Sequence, residues 1–219
     1  MLSFPILAAK ESPHILCLGA HCDDIEIGCG GTLLSMIENI PNVSFTWVVF
    51  TSTKERKVEA TYGAEKFTQG AKNLDLRIYD LRDGFLPYAG QEVKEIFEDI
   101  KGTISSPDLV FTHYRNDLHQ DHRKVNELTW NTFRNHLILE YEIPKWDGDL
   151  GVPNSFSPLP EDICNKKIML LQEVYNSQST KTWFTDDLFS SLLRLRGMEC
   201  HSKSKFAEAF YVRKLELSF

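Results

Sequence analysis

The strongest constraint on the fold is a repeated alternation between short apolar runs and longer amphipathic stretches. His14 to Ala20 (HILCLGA) is apolar without the every-other-residue polarity of a half-exposed strand, so it reads as a strand buried on both faces. Gly28 to Ile40 places Leu33, Leu34, Met36, Ile37 and Ile40 at helical spacing. Val43 to Thr51 is β-branched and aromatic, a second strand. Glu55 to Leu74 reads as a charged helix, Asp75 to Leu81 as a strand, and Gln91 to Ser105 as a helix. Pro107 introduces DLVFTHY, a fourth strand, followed by a helix over His119 to Asn135 and a fifth strand over Ile138 to Ile143. Such a β-α-β-α series predicts a doubly wound, mostly parallel, Rossmann-like α/β sheet with helices on both faces and right-handed crossovers.

After Pro144 the texture changes. A stretch rich in Pro, Gly and Asp reads as a long loop, followed by helices near Glu161 to Tyr175 and Thr185 to Leu195 and a last strand near Ala207 to Leu217. The 219 residues are therefore expected to form one domain over 1–219, with a core over about 12–145 and a C-terminal elaboration over about 146–219. The formal net charge of −7 argues against a nucleic-acid partner, which needs a basic footprint. No apolar run approaches the roughly 20 residues of a membrane span. The N-terminus lacks a basic region ahead of its short apolar stretch and is not read as a signal peptide. Five cysteines without a CxxC pair fit reduced thiols and a cytoplasmic location.

Polar residues concentrate at two strand ends. His21, Asp23 and Asp24 follow the first strand in GAHCDDIEIGCGG. Asp117, His119, Asp121 and His122 follow the fourth in FTHYRNDLHQDH. In open doubly wound sheets, ligands bind beyond the carboxyl ends of the strands where the strand order reverses, so the two clusters are expected to meet. Imidazole nitrogen with carboxylate oxygen suits zinc or another borderline divalent ion. His21, Asp24 and one histidine of the second cluster would supply three ligands. Asp23 would stand beside the metal as a carboxylate able to take a proton from water. A plainer reading keeps Asp23 or Asp24 as a helix cap. The glycines at 28, 30 and 31 do not form G-x-G-x-x-G, and Asp23, Asp24 and Glu26 would repel a pyrophosphate, so a dinucleotide site is rejected. These glycines are expected to let the helix pack closely on the sheet. The G-x-S-x-G elbow of a serine hydrolase is missing. Cys22 and Cys29 lack the dedicated His-Asn context of a thiol nucleophile, although a metal or helix N-terminus beside Cys22 would lower its pKa and could make it reactive.

GAHCDDIEIGCGGTL, followed roughly 90 residues later by HYRNDLHQDH, resembles the PIG-L/LmbE-like de-N-acetylases, whose motifs are A-H-P-D-D-x-E-x-G and a D-x-H-x-D-H type. The resemblance extends through about residue 145. It implies a zinc-dependent hydrolase removing acetyl groups from N-acetylglucosaminyl compounds, with one Zn²⁺ or another divalent metal per chain. It implies metal ligands at His21, Asp24 and His122, and a general base at Asp23. His119 would steady the oxyanion in protonated form or protonate the leaving amine, and Asp121 would orient a metal-binding histidine. It also suggests Arg56 as a substrate contact, although Arg56 equally suits an ion pair with Glu55 or Glu59. The family's usual Pro is Cys22 here. The long loop from Lys145 to Pro160 would shape specificity. Trp146, Tyr175, Trp183 and Phe184 could stack on a sugar there or serve as core aromatics. A small N-acetyl sugar or conjugate is the implied partner, and a homo-oligomer is compatible with the sequence. The rival readings are a two-metal phosphoesterase, a non-catalytic sugar-binding relative, and a structural zinc domain with His119 as fourth ligand.

Overall fold

The computed structural model describes residues 3–7 and 9–216. In chain order the elements are β1 (His14–Gly19), α1 (Asp24–Asn39), β2 (Ser44–Thr51), α2 (Lys54–Phe67), β3 (Asn73–Leu81), α3 (Gly90–Thr103), β4 (Leu109–His113), α4 (Gln120–Thr132) and β5 (Ile138–Tyr141), then β6 (Ser155–Pro158), α5 (Glu161–Val174), a 3₁₀ turn (Asn176–Gln178), α6 (Asp186–Glu199) and β7 (Ala207–Val212). One seven-stranded sheet runs in the order β3-β2-β1-β4-β5-β7-β6. The first five strands in sequence pair in parallel, whereas β7 pairs antiparallel with both β5 and β6. The order reverses between β1 and β4, as the alternation of apolar runs predicts.

The continuous apolar strands are explained by two cores. Ile15, Cys17, Phe45, Trp47 and Phe111 pack on one face under residues of α1, α2, α5 and α6. Leu16, Leu18, Val48, Phe50 and Val110 pack on the other, under Val93, Phe97 and Ile100 of α3 and Val125 and Leu128 of α4. A Cβ at Gly28 would overlap the ring of Tyr141, and one at Gly30 would lie 2.6 Å from Phe67, so these glycines do allow close packing of α1.

Several boundaries differ from the sequence expectation. Helix α1 starts at Asp24, four residues earlier than the apolar spacing suggests. Helix α2 ends at Phe67, because Gly70 takes φ +100° and turns the chain, so Leu74 belongs to β3. The long loop contains β6, a four-residue edge strand. Strand β7 ends at Val212, and Leu217, the expected end, lies outside the described residues.

The middle of α1 is bound to the last part of the chain. The N–H groups of Gly31 and Thr32 donate to the Glu208 carboxylate at 2.8 and 2.7 Å. Lys167 donates to the Ile27 carbonyl at 2.7 Å and to Glu208 at 2.6 Å. Both charged side chains are buried, so each compensates the other in a medium that would otherwise reject it.

Candidate active site

A cleft of about 550 Å³ opens beyond the carboxyl ends of the parallel strands. The ends of β1, β2, β3 and β4 and the turns after them contribute His21 to Asp24, Thr51 to Thr53 with Arg56, Asp80 to Asp83, and His119 with His122. The two clusters separated in sequence therefore meet at the switch point. His21 Nδ1 lies 3.1 Å from His122 Nε2 and 3.3 Å from Asp24 Oδ2, and His122 Nε2 lies 3.5 Å from Asp24 Oδ1. A tetrahedral ion with bonds of about 2.0–2.1 Å needs ligand atoms about 3.3–3.4 Å apart. The N₂O donor set suits a zinc-sized divalent ion, with each histidine meeting a different Asp24 oxygen, so that one of the two oxygens would turn inward to close the site.

Each candidate ligand is held from behind. His21 N–H donates to Asp24 Oδ2 at 2.7 Å, closing the turn into α1. His122 Nδ1 meets Asp117 Oδ2 at 2.8 Å, which leaves Nε2 facing the cleft. Asp117 also takes an ion pair from Lys145 at 3.0 Å, and its Oδ1 accepts the His119 N–H at 2.8 Å. On the far side of His21, Nε2 lies 3.1 Å from Asp83 and 3.4 Å from Asp121. Asp121 accepts the N–H groups of Gly84 and Leu86 at 2.7 and 3.1 Å, which fixes the loop after β3. His113 is fully buried at the end of β4, with its ring stacked on His122 at 3.9 Å and its Nε2 accepting the Ala20 N–H at 2.9 Å.

The charges follow from this packing. Burial works against a charged His21, but Asp24, Asp121 and Asp83 outweigh it and hold its pKa well above the ordinary value. His122 is raised in the same way, with Asp24 and Asp117 overcoming burial. Burial would raise Asp24, yet the surrounding His122, His113 and His21 bring its carboxyl well below the usual range. Burial and the His122 charge push His113 down to about 4, so its ring is neutral. Burial, His122 and His21 also lower His119.

Asp23 occupies the N-cap position of α1 but makes no capping hydrogen bond. Its Oδ2 instead pairs with Arg56 Nη2 at 3.0 Å. Arg56 also bonds Glu59 and Ser177, at 3.0 and 3.1 Å, and its guanidinium lies 5.3 Å from the Tyr175 ring centre. Of the two partners suggested by sequence, Glu59 is the one engaged. Beneath this pair, Tyr175 O–H donates to Glu26 Oε1, while Glu26 Oε2 has no partner among the described residues. Burial pushes the Glu26 carboxyl up to about 8.

A profile described as PIG-L, GlcNAc-PI de-N-acetylase, matches residues 16–133, just over half of the chain and both polar clusters. The chain belongs to the PIG-L family. No curated protein sequence matches it. Among solved structures, N,N'-diacetylchitobiose deacetylase from Pyrococcus horikoshii is 20% identical at TM-score 0.68, covering 94% of this chain and 85% of that one. The zinc-inhibited form of teicoplanin deacetylase Orf2 is 15% identical at TM-score 0.70, covering 91% and 97%. GalB, the 4-carboxy-2-hydroxymuconate hydratase from Pseudomonas putida KT2440, is 13% identical at TM-score 0.75, covering 95% and 99%. At these identities the likeness establishes a shared fold.

Within this PIG-L chain, His21, Asp23, Asp24, Arg56, His119 and His122 all line one cleft, while Asp121 stands behind it against His21. Two expectations need correction. Cys22 is not an activated thiol: it is buried, donates to the Thr51 carbonyl, and burial pushes its pKa up to about 12. His119 is not poised as a cation, because its Nδ1 accepts the Asp121 N–H at 3.3 Å and its pKa is lowered. Tyr175 and Phe184 are core aromatics, whereas Trp146 and Trp183 line the cleft. The sequence reading left Asp117, Lys145 and Glu26 without specific roles. Asp117 was visible as part of the second cluster, but its pairing with His122 and with Lys145 emerges only in three dimensions.

Proposed function

We propose that this protein is a zinc-dependent deacetylase that hydrolyses the acetamide of an N-acetylated aminosugar, releasing acetate and the free amine. The observation that carries the reading is the His21–Asp24–His122 tripod with Asp23 beside it, unused as a ligand and fixed by Arg56. Family membership and the deacetylases of similar fold support the substrate class. A zinc ion held by His21 Nδ1, Asp24 and His122 Nε2 would polarise the amide carbonyl and make water acidic enough to deprotonate near neutral pH.

Asp23 takes the proton from the attacking water, its carboxylate aimed by the Arg56 ion pair. Because His119 Nδ1 accepts a backbone N–H, the neutral ring carries its proton on Nε2. That N–H donates to the carbonyl oxygen as negative charge develops there. A neutral donor is thus enough. Asp23 then delivers its proton to the departing nitrogen. Asp117 and Asp121 orient His122 and His21 from behind. Asp83 and Asp121 meet the far nitrogen of His21 at 3.1 and 3.4 Å and so hold its ring in place.

The test is to measure zinc content and acetate release from N-acetylglucosamine compounds for wild type and Asp23→Asn. Near one zinc per chain in both, with turnover lowered by about 10²–10⁴-fold in the variant, is expected. Undiminished turnover in Asp23→Asn would refute the assignment of the base. Zinc binding without acetate release from any such compound would refute the deacetylase reading.

A further inference from the structure

The hydrolytic chemistry uses only the floor of the cleft. Its C-terminal wall includes Lys145, Trp146, Asp147, Gln178, Lys181 and Trp183. Trp146 is 71% exposed, although its backbone is firmly placed. The neighbouring Lys145 is bonded to Asp117 at 3.0 Å and to Asp149 at 2.6 Å, and Asp149 in turn accepts the Leu118 N–H at 2.7 Å. These bonds tie the Trp146 loop to the segment that carries His119 and His122. The Trp146 ring meets Trp183 at 6.1 Å and 80°, forming an aromatic corner, and Lys181 Nζ lies 5.8 Å from the centre of the Trp183 ring.

A broad indole face left in water on a fixed loop matches the apolar C–H face of a pyranose, with the exposed ammonium of Lys181 available to ring hydroxyls. We propose that Trp146 is the platform of a second sugar subsite, so that the enzyme prefers an N-acetylaminosugar linked to a further pyranose over the free monosaccharide. The proposal rests on the deacetylase reading for the chemistry at the floor, and it makes Trp146 a specificity residue.

Calorimetric titration of the zinc-loaded Asp23→Asn protein, which holds substrate without turning it over, tests the idea. The probes are N-acetylglucosamine and its β-1,4-linked disaccharide. The disaccharide is expected to bind about tenfold more tightly. Adding Trp146→Ala should bring that ratio close to one, and Trp146→Phe should keep most of it. Trp146 is exposed, so neither change threatens folding. Equal binding of the two sugars, a ratio untouched by Trp146→Ala, or no binding of either sugar overturns the subsite. Acetate release by the Asp23-intact protein is scored separately. If the disaccharide preference depends on Trp146 while no acetate appears, the deacetylase reading falls and the subsite stands.

Discussion

Replacing Glu26 by Gln should change how stability responds to pH. Glu26 is fully buried in the first turn of α1, with one oxygen on the Tyr175 hydroxyl and the other unpartnered among the described residues. Its carboxyl titrates near 8 in the folded protein, against 4.5 for an unperturbed glutamic acid. Between those values the native state holds a proton that the unfolded chain has released. Stability from this group is therefore fully present below about pH 4.5 and is lost as pH rises towards 8. The slope is about 1.4 kcal/mol per pH unit, on the order of 4–5 kcal/mol across the window. Gln keeps the shape of the neutral acid and does not titrate. Urea unfolding of both proteins with chelator present, in steps from pH 5 to 8.5, should show wild type losing stability relative to Glu26→Gln as pH rises. Parallel pH profiles would show that Glu26 is ionised in the native state and that the reasoning from burial is wrong.

Three further outcomes are expected. Asp117→Asn should weaken zinc binding by about 10–100-fold in a competition titration, because His122 loses its carboxylate partner; unchanged affinity would remove Asp117 from the metal's support. Lys167→Met should lower unfolding free energy by about 3–5 kcal/mol by stranding Glu208, with Lys167→Met/Glu208→Leu recovering part of it. A single variant as stable as wild type would contradict the buried pair. Iodoacetamide at pH 8 should leave Cys22 unlabelled in the native protein and label it in urea, and rapid native labelling would contradict its buried thiol.

The parallel sheet and the meeting of the two clusters were legible because they rest on local signals. Uninterrupted apolar runs such as Leu16 to Leu18 appear only where a strand is covered on both sides, and the reversal of strand order dictates which loops converge. Strand β6 was hidden because Ser155–Pro158 is short, ends in Pro and gains its ladder from β7, roughly 50 residues later. The end of α2 had a signal that periodicity overrode, the glycine at position 70. Glu26 looked like one more acidic residue at a helix start, since its burial depends on Tyr175, 149 residues away. Arg56 had two plausible local partners, and its bond to Asp23 required the fold.

The stitching of α1 to Glu208 and Lys167 bears on how the protein comes to be made. The helix that begins at Asp24 leaves the ribosome before its partners do, since the groups that meet its mid-helix amides and the Ile27 carbonyl follow up to 177 residues later. Strand β7, which carries Glu208, also supplies the antiparallel neighbour of β5. A nascent chain that has emerged only through the two histidine-bearing segments already contains every proposed metal ligand but not the scaffold that steadies α1. The boundary of recognisable family sequence near residue 133 is thus not a boundary of folding. A prematurely released chain should yield no miniature enzyme, and an exchange of the C-terminal third between relatives would have to carry the matching middle of α1 with it.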